Sequence, residues 1–157
     1  ELARPQSEYT PFVTIIAPCR GVDDGMRENL KALFEQDVPE YEMIFVVDDA
    51  ADPAVVVIEE LISRVDPETK RGDQKKSDPS SASPRLCGES CVIAKLVVAP
   101  KAVDCSQKVE NLREAVLHAN DRSQIFVFVD SDARPSKTWL RSLIAPLQDD
   151  EVGATTG

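Results

Sequence analysis

Short runs of consecutive apolar residues recur along the chain, and segments whose apolar residues follow helical spacing separate them. The runs are short and rich in β-branched residues, which favours strands over helices. Because apolar residues fill consecutive positions, the strands are predicted to be buried on both faces, as in a parallel sheet. The predicted strands are Phe12–Ala17, Met43–Val47, Cys91–Ala99 and Ile125–Val129, with a final short strand beginning near Val152.

An amphipathic helix is predicted after each of the first four strands. Residues that can cap a helix N-terminus precede them: Asp23 or Asp24, Asp52 followed by Pro53, Ser106 and Ser136. The predicted inward residues are Met26, Leu30, Leu33 and Phe34, then Val57, Ile58, Leu61 and Ile62, then Val109, Leu112, Ala115, Val116 and Ala119, then Trp139, Leu140, Leu143, Ile144 and Leu147. This alternation predicts an α/β fold, a Rossmann-like sandwich with a mostly parallel sheet and helices on both faces.

Two segments fall outside this alternation. Residues 1–11 form a polar lead-in, and residues 12–157 are predicted to form one α/β domain. Within that domain, residues 66–90 are rich in Ser, Pro, Lys and Asp, which predicts a flexible surface insertion. The chain does not begin with Met, and we expect it to be a piece of a longer protein whose targeting or membrane segments lie elsewhere.

The net charge of the chain limits the kinds of molecule that it is expected to bind. The chain has 28 acidic and 18 basic residues, a formal net charge of −10. An acidic surface repels phosphate backbones and anionic lipids, so no nucleic-acid partner is expected. The sequence motifs of dinucleotide oxidoreductases, P-loop NTPases, zincins and α/β-hydrolases are absent.

The four cysteines do not form a strong metal motif. They are Cys19, Cys87, Cys91 and Cys105, and the single histidine, His118, is distant in sequence. Free thiols in a reducing compartment are the favoured interpretation. The alternative is a disulfide or metal site among the last three cysteines.

An acidic pair, Asp130-Ser131-Asp132, directly follows the strand Ile125–Val129. Ligands of open parallel sheets bind beyond the carboxyl ends of the strands, where this pair is expected to lie. Carboxylates suit Mg²⁺ or Mn²⁺, which usually bind one or two carboxylates together with substrate phosphates. Asp130 and Asp132 are therefore predicted metal ligands, and a solvated or helix-capping acidic turn is the alternative.

Charged residues follow other predicted strands as well. Asp49 can accept hydrogen bonds from a ribose or a base, whereas Asp52 is assigned to capping the next helix. Lys108 lies in the first turn of its helix, where it opposes the helix dipole but can reach a bound anion. Arg20 and Arg134 can each meet a phosphate or pair with a neighbouring carboxylate. For Lys108, a solvated side chain is the alternative.

The order of these features resembles the family-2 inverting glycosyltransferases of the GT-A fold. The segments that carry the resemblance are Thr14-Ile15-Ile16-Ala17-Pro18, Gln36-Asp37-Val38-Pro39 and a strand that ends in Asp48-Asp49. The finer match is to the ceramide glucosyltransferase-like branch. It rests on Arg20-Gly21-Val22-Asp23 with Glu28-Asn29-Leu30, on Asp49-Ala50-Ala51-Asp52-Pro53-Ala54, on Ser106-Gln107-Lys108-Val109-Glu110-Asn111-Leu112 and on Asp130-Ser131-Asp132-Ala133-Arg134.

This resemblance implies metal-dependent transfer of a sugar from a UDP-sugar, with UDP-glucose one such donor, to an acceptor such as the lipid ceramide, with inversion. Asp49 would bind the base, Arg20 and Lys108 would lie near the nucleotide, and Asp130 and Asp132 would hold ribose, diphosphate and Mg²⁺ or Mn²⁺. The family's catalytic base and acceptor part lie farther along the chain, so this piece is expected to bind donor without completing transfer. The parent protein is expected to be membrane-associated, with this domain facing the cytoplasm.

Two other classes of function remain open at this point. One is a non-catalytic nucleotide-binding or interaction module. The other is a HAD-like phosphatase, which also places Asp-x-Asp after a strand, although that motif normally opens the domain rather than lying near residue 130. A receiver-type phosphoacceptor domain is a weaker possibility, because its acidic cluster follows the first strand.

Overall fold

A computed structural model describes residues 9–65 and 91–157, and the fold is built on one parallel sheet within them. The four strands are β1 (Val13–Pro18), β2 (Glu40–Val47), β3 (Cys91–Val98) and β4 (Ile125–Phe128). They lie in the order β3-β2-β1-β4, and every pair of neighbours is parallel. The predicted parallel sheet is therefore confirmed, and its four main strands coincide with the apolar runs.

Helices cover both faces of this sheet, as predicted. They are α1 (Met26–Leu33), α2 (Ala54–Val65), α3 (Gln107–Leu117) and α4 (Trp139–Ile144), and a 3₁₀ turn at Ala145–Gln148 follows the last. Successive side chains of a strand point to opposite faces, so Ile15 and Ile16 enter different cores. Ile15 packs in the core that α1, α2 and α4 cover, whereas Ile16 packs in the core beneath α3. Both isoleucines are fully buried.

Some predicted helix starts differ from those in the structure. Gly25, rather than Asp23 or Asp24, is the N-cap of α1, with a φ of 86° that favours glycine. Thr138, rather than Ser136, precedes α4. The two caps predicted at Asp52 and Ser106 are confirmed, because their side chains accept hydrogen bonds from the backbone N–H groups of Ala54 and Val109.

One predicted inward residue of α3 is wrong. Val109 is 45% exposed, whereas Asn111 is 5% exposed and faces the interior. The side-chain amide nitrogen of Gln107 donates to Oδ1 of Asn111 at 2.8 Å. Without this donor, the buried oxygen would have no hydrogen-bond partner. Because of this hydrogen bond, the polar Asn111 can face the interior, where the helical spacing predicted only apolar side chains.

A buried glutamine joins the end of α1 to the start of α4. Nε2 of Gln36 donates to the carbonyl oxygens of Ala32 and Ser136, at 2.8 and 3.1 Å. Its Oε1 accepts the backbone N–H of Leu140 at 3.0 Å. The Gln-x-x-Pro turn noted in the sequence thus has a structural role, since one side chain holds two helices that are distant in sequence.

A second buried polar residue explains why β2 begins three residues earlier than predicted. Glu42 is 1% exposed and lies opposite Thr14 in the β1–β2 register. Its carboxylate accepts hydrogen bonds from the Thr14 hydroxyl at 2.8 Å and from the Asn120 N–H at 2.9 Å, and it pairs with Lys95 at 2.9 Å. These partners offset the cost of removing the charge from water, so the strand continues through a glutamate.

The short strand predicted near Val152 is not formed. Residues 152–157 have no regular secondary structure, although they lie beside α4. The hydroxyl of Thr155 donates to the carbonyl oxygen of Leu143 at 2.8 Å. Val152 is the one large apolar residue of this segment, which is too weak a signal for a strand, and Thr155 bonds to α4 instead.

Other parts of the prediction fall on residues that the structure does not describe. The insertion at 66–90, Cys87 and residues 1–8 of the lead-in all lie outside the described ranges. Among the described helices, none combines the length and the apolar character needed to cross a bilayer.

We predict that Gln36→Met lowers the free energy of unfolding by about 2–4 kcal/mol, because the buried N–H of Leu140 loses its acceptor and the carbonyl groups of Ala32 and Ser136 each lose one hydrogen bond, while the side-chain volume is nearly kept. Urea denaturation measures this difference. The control is Lys31→Met, whose exposed ion pair with Glu35 spans 3.6 Å and should contribute less than about 0.5 kcal/mol. Equal stabilities for the two variants would contradict the bridging role of Gln36.

Candidate functional site

A cleft opens at the carboxyl edge of the sheet, between the ends of β1 and β4. The chain runs from β1 outward to β2 and β3, then returns to place β4 on the other side of β1. Such a reversal of strand order is where open α/β sheets usually bind ligands. The cavity measures about 310 Å³, and four predicted site residues line it: Arg20, Lys108, Asp130 and Asp132.

The acidic pair lies on the loop that leaves β4. Nζ of Lys108 contacts Oδ1 of Asp130 at 2.5 Å, and both side chains are about 60% exposed. The backbone carbonyl of Asp132 accepts a hydrogen bond from Nδ2 of Asn29 at 3.2 Å, which ties this loop to α1. The carboxylate groups therefore remain available to the cleft while the backbone that carries them is anchored.

The residues present fit a hard divalent cation. Asp130 and Asp132 offer carboxylate oxygens, the donor type that Mg²⁺ and Mn²⁺ prefer. The ammonium group of Lys108 contacts one of these oxygens and so stands in for a cation. Two carboxylates with room for phosphate oxygens match the usual composition of such sites.

The start of α3 is held firmly, which positions Lys108 in its first turn. Gln107 donates from Nε2 to the Pro100 carbonyl at 2.9 Å and accepts the Ala102 N–H at 2.9 Å. The Ser106 hydroxyl caps the helix by accepting the Val109 N–H at 3.4 Å. Lys108 therefore extends from a fixed backbone toward the cleft.

The two aspartates after β2 have different environments. Asp48 lines the cleft, and its Oδ2 contacts Nζ of Lys101 at 2.7 Å. This hydrogen bond is the main cause that lowers the pKa of Asp48 below 3.8. Asp49 is exposed, and its Oδ1 accepts the Ala51 N–H at 2.9 Å within a local turn. The structure thus places Asp48 in the cleft wall, and the base-binding role of Asp49 stays a prediction.

Sequence reasoning passed over Asp48 because adjacent carboxylates look alike in a linear pattern. The partner that distinguishes them, Lys101, is 53 residues away and was not singled out. Asn111 was missed for a similar reason, since it sits among apolar residues in the predicted helix. It is buried at the cleft floor.

Asp52 has the structural role that was assigned to it, and it also shapes the cleft. Its carboxylate accepts the backbone N–H of Gly21 at 2.9 and 3.1 Å, in addition to capping α2. Gly21 has a φ of 67°, a conformation that other residues rarely adopt. This contact fixes the turn after β1 and hence the position of Arg20, the residue before Gly21.

Three other residues singled out in the sequence lie outside the chemistry of the cleft. Arg134 is exposed and does not line the cavity. His118 is an exposed residue whose Nε2 contacts Glu114 at 3.0 Å. Cys19 lies in the cleft floor, but burial raises its pKa to about 12, so the thiol stays protonated at neutral pH.

Of the described cysteines, Cys19 and Cys105 are free thiols, the favoured interpretation. Cys105 does lie near Asp104 and Glu110, with one potential ligand atom from each within 4.8 Å of the others. Burial and the neighbouring Glu110 raise the pKa of the Cys105 thiol. A thiol suits softer metals than Mg²⁺ or Mn²⁺, so this group does not replace the acidic pair as the candidate site for those ions.

The comparison with protein families gives a match to one family. The profile described as Glycosyl transferase family 21 matches residues 2–70. The chain is also 35% identical over 77 residues to a ceramide glucosyltransferase of Komagataella phaffii (strain GS115 / ATCC 20864), which covers 47% of this chain. The resemblance drawn from the sequence is confirmed. The chain spans 15% of the length of that relative.

Solved structures agree on the fold. The chain superposes with a TM-score of 0.64 on the mannosyltransferase PcManGT from Pyrobaculum calidifontis, solved in complex with GDP-Man and Mn²⁺, with 21% identity over 96% of this chain and 38% of that one. It also matches S. aureus TarS 1–349 in complex with UDP, with a TM-score of 0.52 and 19% identity over 87% of this chain and 32% of that one. The fold is GT-A, as expected from the resemblance.

We predict that Lys101→Met raises the pKa of Asp48 toward 3.8, because its strongest stabilising partner is removed. A lowered pKa contributes stability that is present above the ordinary pKa of an aspartate and is lost as the pH falls through the lowered value. NMR titration of the Asp48 carboxyl carbon measures the shift directly. Lys31→Met removes an exposed lysine of α1 that pairs with Glu35 and should leave that pKa unchanged. An unshifted Asp48 in Lys101→Met would contradict the pairing.

Proposed function

We propose that this chain is the donor-binding part of a metal-dependent glycosyltransferase that uses a UDP-sugar. The observation that carries the proposal is the convergence of Arg20, Lys108, Asp130 and Asp132 on one cleft at the switch point of a GT-A sheet. Two carboxylates beside two cationic side chains suit a cation and a diphosphate together. The match to glycosyltransferases in both sequence and fold supports the same function.

Each cleft residue has a proposed role. Asp130 and Asp132 would hold Mg²⁺ or Mn²⁺, which supplies stabilisation of the negative charge on the leaving diphosphate. Arg20 and Lys108 would neutralise and orient the phosphate oxygens, and Asp132 is kept in place by the contact of its carbonyl with Asn29. Asp48 and Asp49 are the candidate acceptors for the N–H groups of the base or the hydroxyls of the ribose.

The relatives support the choice of proposed substrates. Similarity to a ceramide glucosyltransferase supports UDP-glucose as donor and a lipid such as ceramide as acceptor. TarS was solved with UDP, whereas the mannosyltransferase was solved with GDP-Man, so the base needs its own test. We further propose that transfer inverts the anomeric centre and that the parent protein is membrane-associated with this domain facing the cytoplasm.

We predict that UDP with Mn²⁺ raises the melting temperature of this chain and that Asp132→Asn abolishes the Mn²⁺-dependent part of the rise. A ligand that binds only the folded state stabilises it by about 2.7 kcal/mol at 100 times its dissociation constant. Differential scanning fluorimetry measures the shift. Asp121→Asn, an exposed aspartate before β4, is the matched control and should respond like the parent sequence. A folded chain with no shift at millimolar UDP would contradict the donor-site assignment.

We predict that the full-length parent transfers glucose from UDP-glucose to ceramide in detergent or lipid vesicles and that Asp132→Asn lowers kcat/KM at least 100-fold, since the metal site is lost. GDP-mannose is the donor control. Radiolabelled product on a thin-layer plate reports transfer. Nucleotide binding without transfer from any nucleotide-sugar would favour the alternative, a non-catalytic nucleotide-binding module.

A further inference from the structure

The cleft contains an ion pair between two residues that the proposed function assigns to different ligands. Lys108, proposed to meet the diphosphate, contacts Oδ1 of Asp130, a proposed metal ligand, at 2.5 Å. The inference that follows rests on the proposed function, because it concerns how these two residues share their partners.

The position of Lys108 is unfavourable for the helix that carries it. A cation in the first turn of α3 opposes the helix dipole, and Ser106 already caps that end. The stabilising partner of Lys108 is therefore the carboxylate across the cleft. Both side chains are about 60% exposed, so the pair is weak and readily exchanged for other partners.

A neighbouring lysine provides a contrast. Lys101 is also exposed and follows β3 at the same edge of the sheet, but its Nζ contacts Asp48 at 2.7 Å and not Asp130. Both lysines carry a positive charge near the cleft, but only Lys108 contacts the proposed metal ligand Asp130. Replacing Lys101 therefore tests the general effect of a nearby positive charge, whereas replacing Lys108 also removes the contact with Asp130.

We propose that Lys108 is an internal counter-cation that occupies the metal ligand Asp130 until a nucleotide diphosphate arrives. Lys108 must leave Asp130 before a divalent cation can bind there, which weakens metal binding to the nucleotide-free protein. A bound diphosphate gives the ammonium group a new anionic partner and frees Asp130. Metal and nucleotide consequently bind cooperatively, and by linkage each strengthens the other by the same factor.

The test is a titration of nucleotide-free protein with Mn²⁺, in which electron paramagnetic resonance measures the concentration of the free ion. Lys108→Met should bind Mn²⁺ about 3- to 10-fold more tightly than the parent sequence, because a unit charge next to the metal ligand is removed. Lys101→Met should change the affinity by less than about 2-fold, since that lysine does not contact Asp130. Lys108 is exposed, so its replacement should leave the melting temperature nearly unchanged, which is checked first.

The second measurement repeats the titration with saturating UDP. The factor by which UDP strengthens Mn²⁺ binding should be smaller in Lys108→Met than in the parent sequence, because the shared lysine no longer couples the two ligands. Lys108→Arg, which keeps the charge, should retain most of the coupling. These outcomes require no sugar transfer and therefore do not depend on activity.

Equal Mn²⁺ affinity in Lys108→Met and the parent sequence, or an equal gain in Lys101→Met, would overturn the inference while leaving the donor site intact. Failure of the parent sequence to bind Mn²⁺ even with saturating UDP, while UDP still stabilises the fold, would overturn both the inference and the metal-dependence of the proposed function. Failure to bind either ligand would overturn the proposed function as a whole.

Discussion

All four described strands point in the same direction, and this parallel arrangement determines both the core and the cleft. Parallel strands need crossover connections, which place helices on the faces of the sheet and bury the strands on both sides. The same geometry brings every carboxyl end to one edge. Residues that follow β1, β2 and β4, namely Arg20, Asp48 and Asp130, therefore meet in one cavity although they are far apart in sequence.

Much of this fold could be predicted because the strongest signal, consecutive burial, is local. Each of the four apolar runs corresponds to a strand, and the amphipathic segments between them are helices. The errors occur where a partner distant in sequence outweighs the local pattern. Glu42 extends β2 because Thr14 and Lys95 surround its carboxylate, and Asn111 replaces Val109 inside α3 because Gln107 bonds to it. No periodicity in the sequence reveals such partners.

The candidate site could likewise be predicted only in part. The sequence places Asp130 after a strand and Lys108 at a helix start, and the topology of the sheet brings both to one edge, where they meet. Which member of Asp48-Asp49 faces the cleft depends instead on a single backbone turn and on Lys101, and neither can be read from the pattern. The chemistry of the cleft was therefore predictable at the level of residue types and sheet edge, but not of individual carboxylates.

The pairing of β1 with β4 has a consequence for how the chain is made. β1 leaves the ribosome before β4, the partner for its second edge, and Gln36 likewise bonds to Leu140 across 104 residues. The nascent chain thus carries an open edge of β1 until β4 has been synthesised, and such edges promote aggregation. Because Asp130 and Asp132 follow β4, the cleft is complete only once β4 has been made, and a ligand of the cleft can stabilise the fold only after that step.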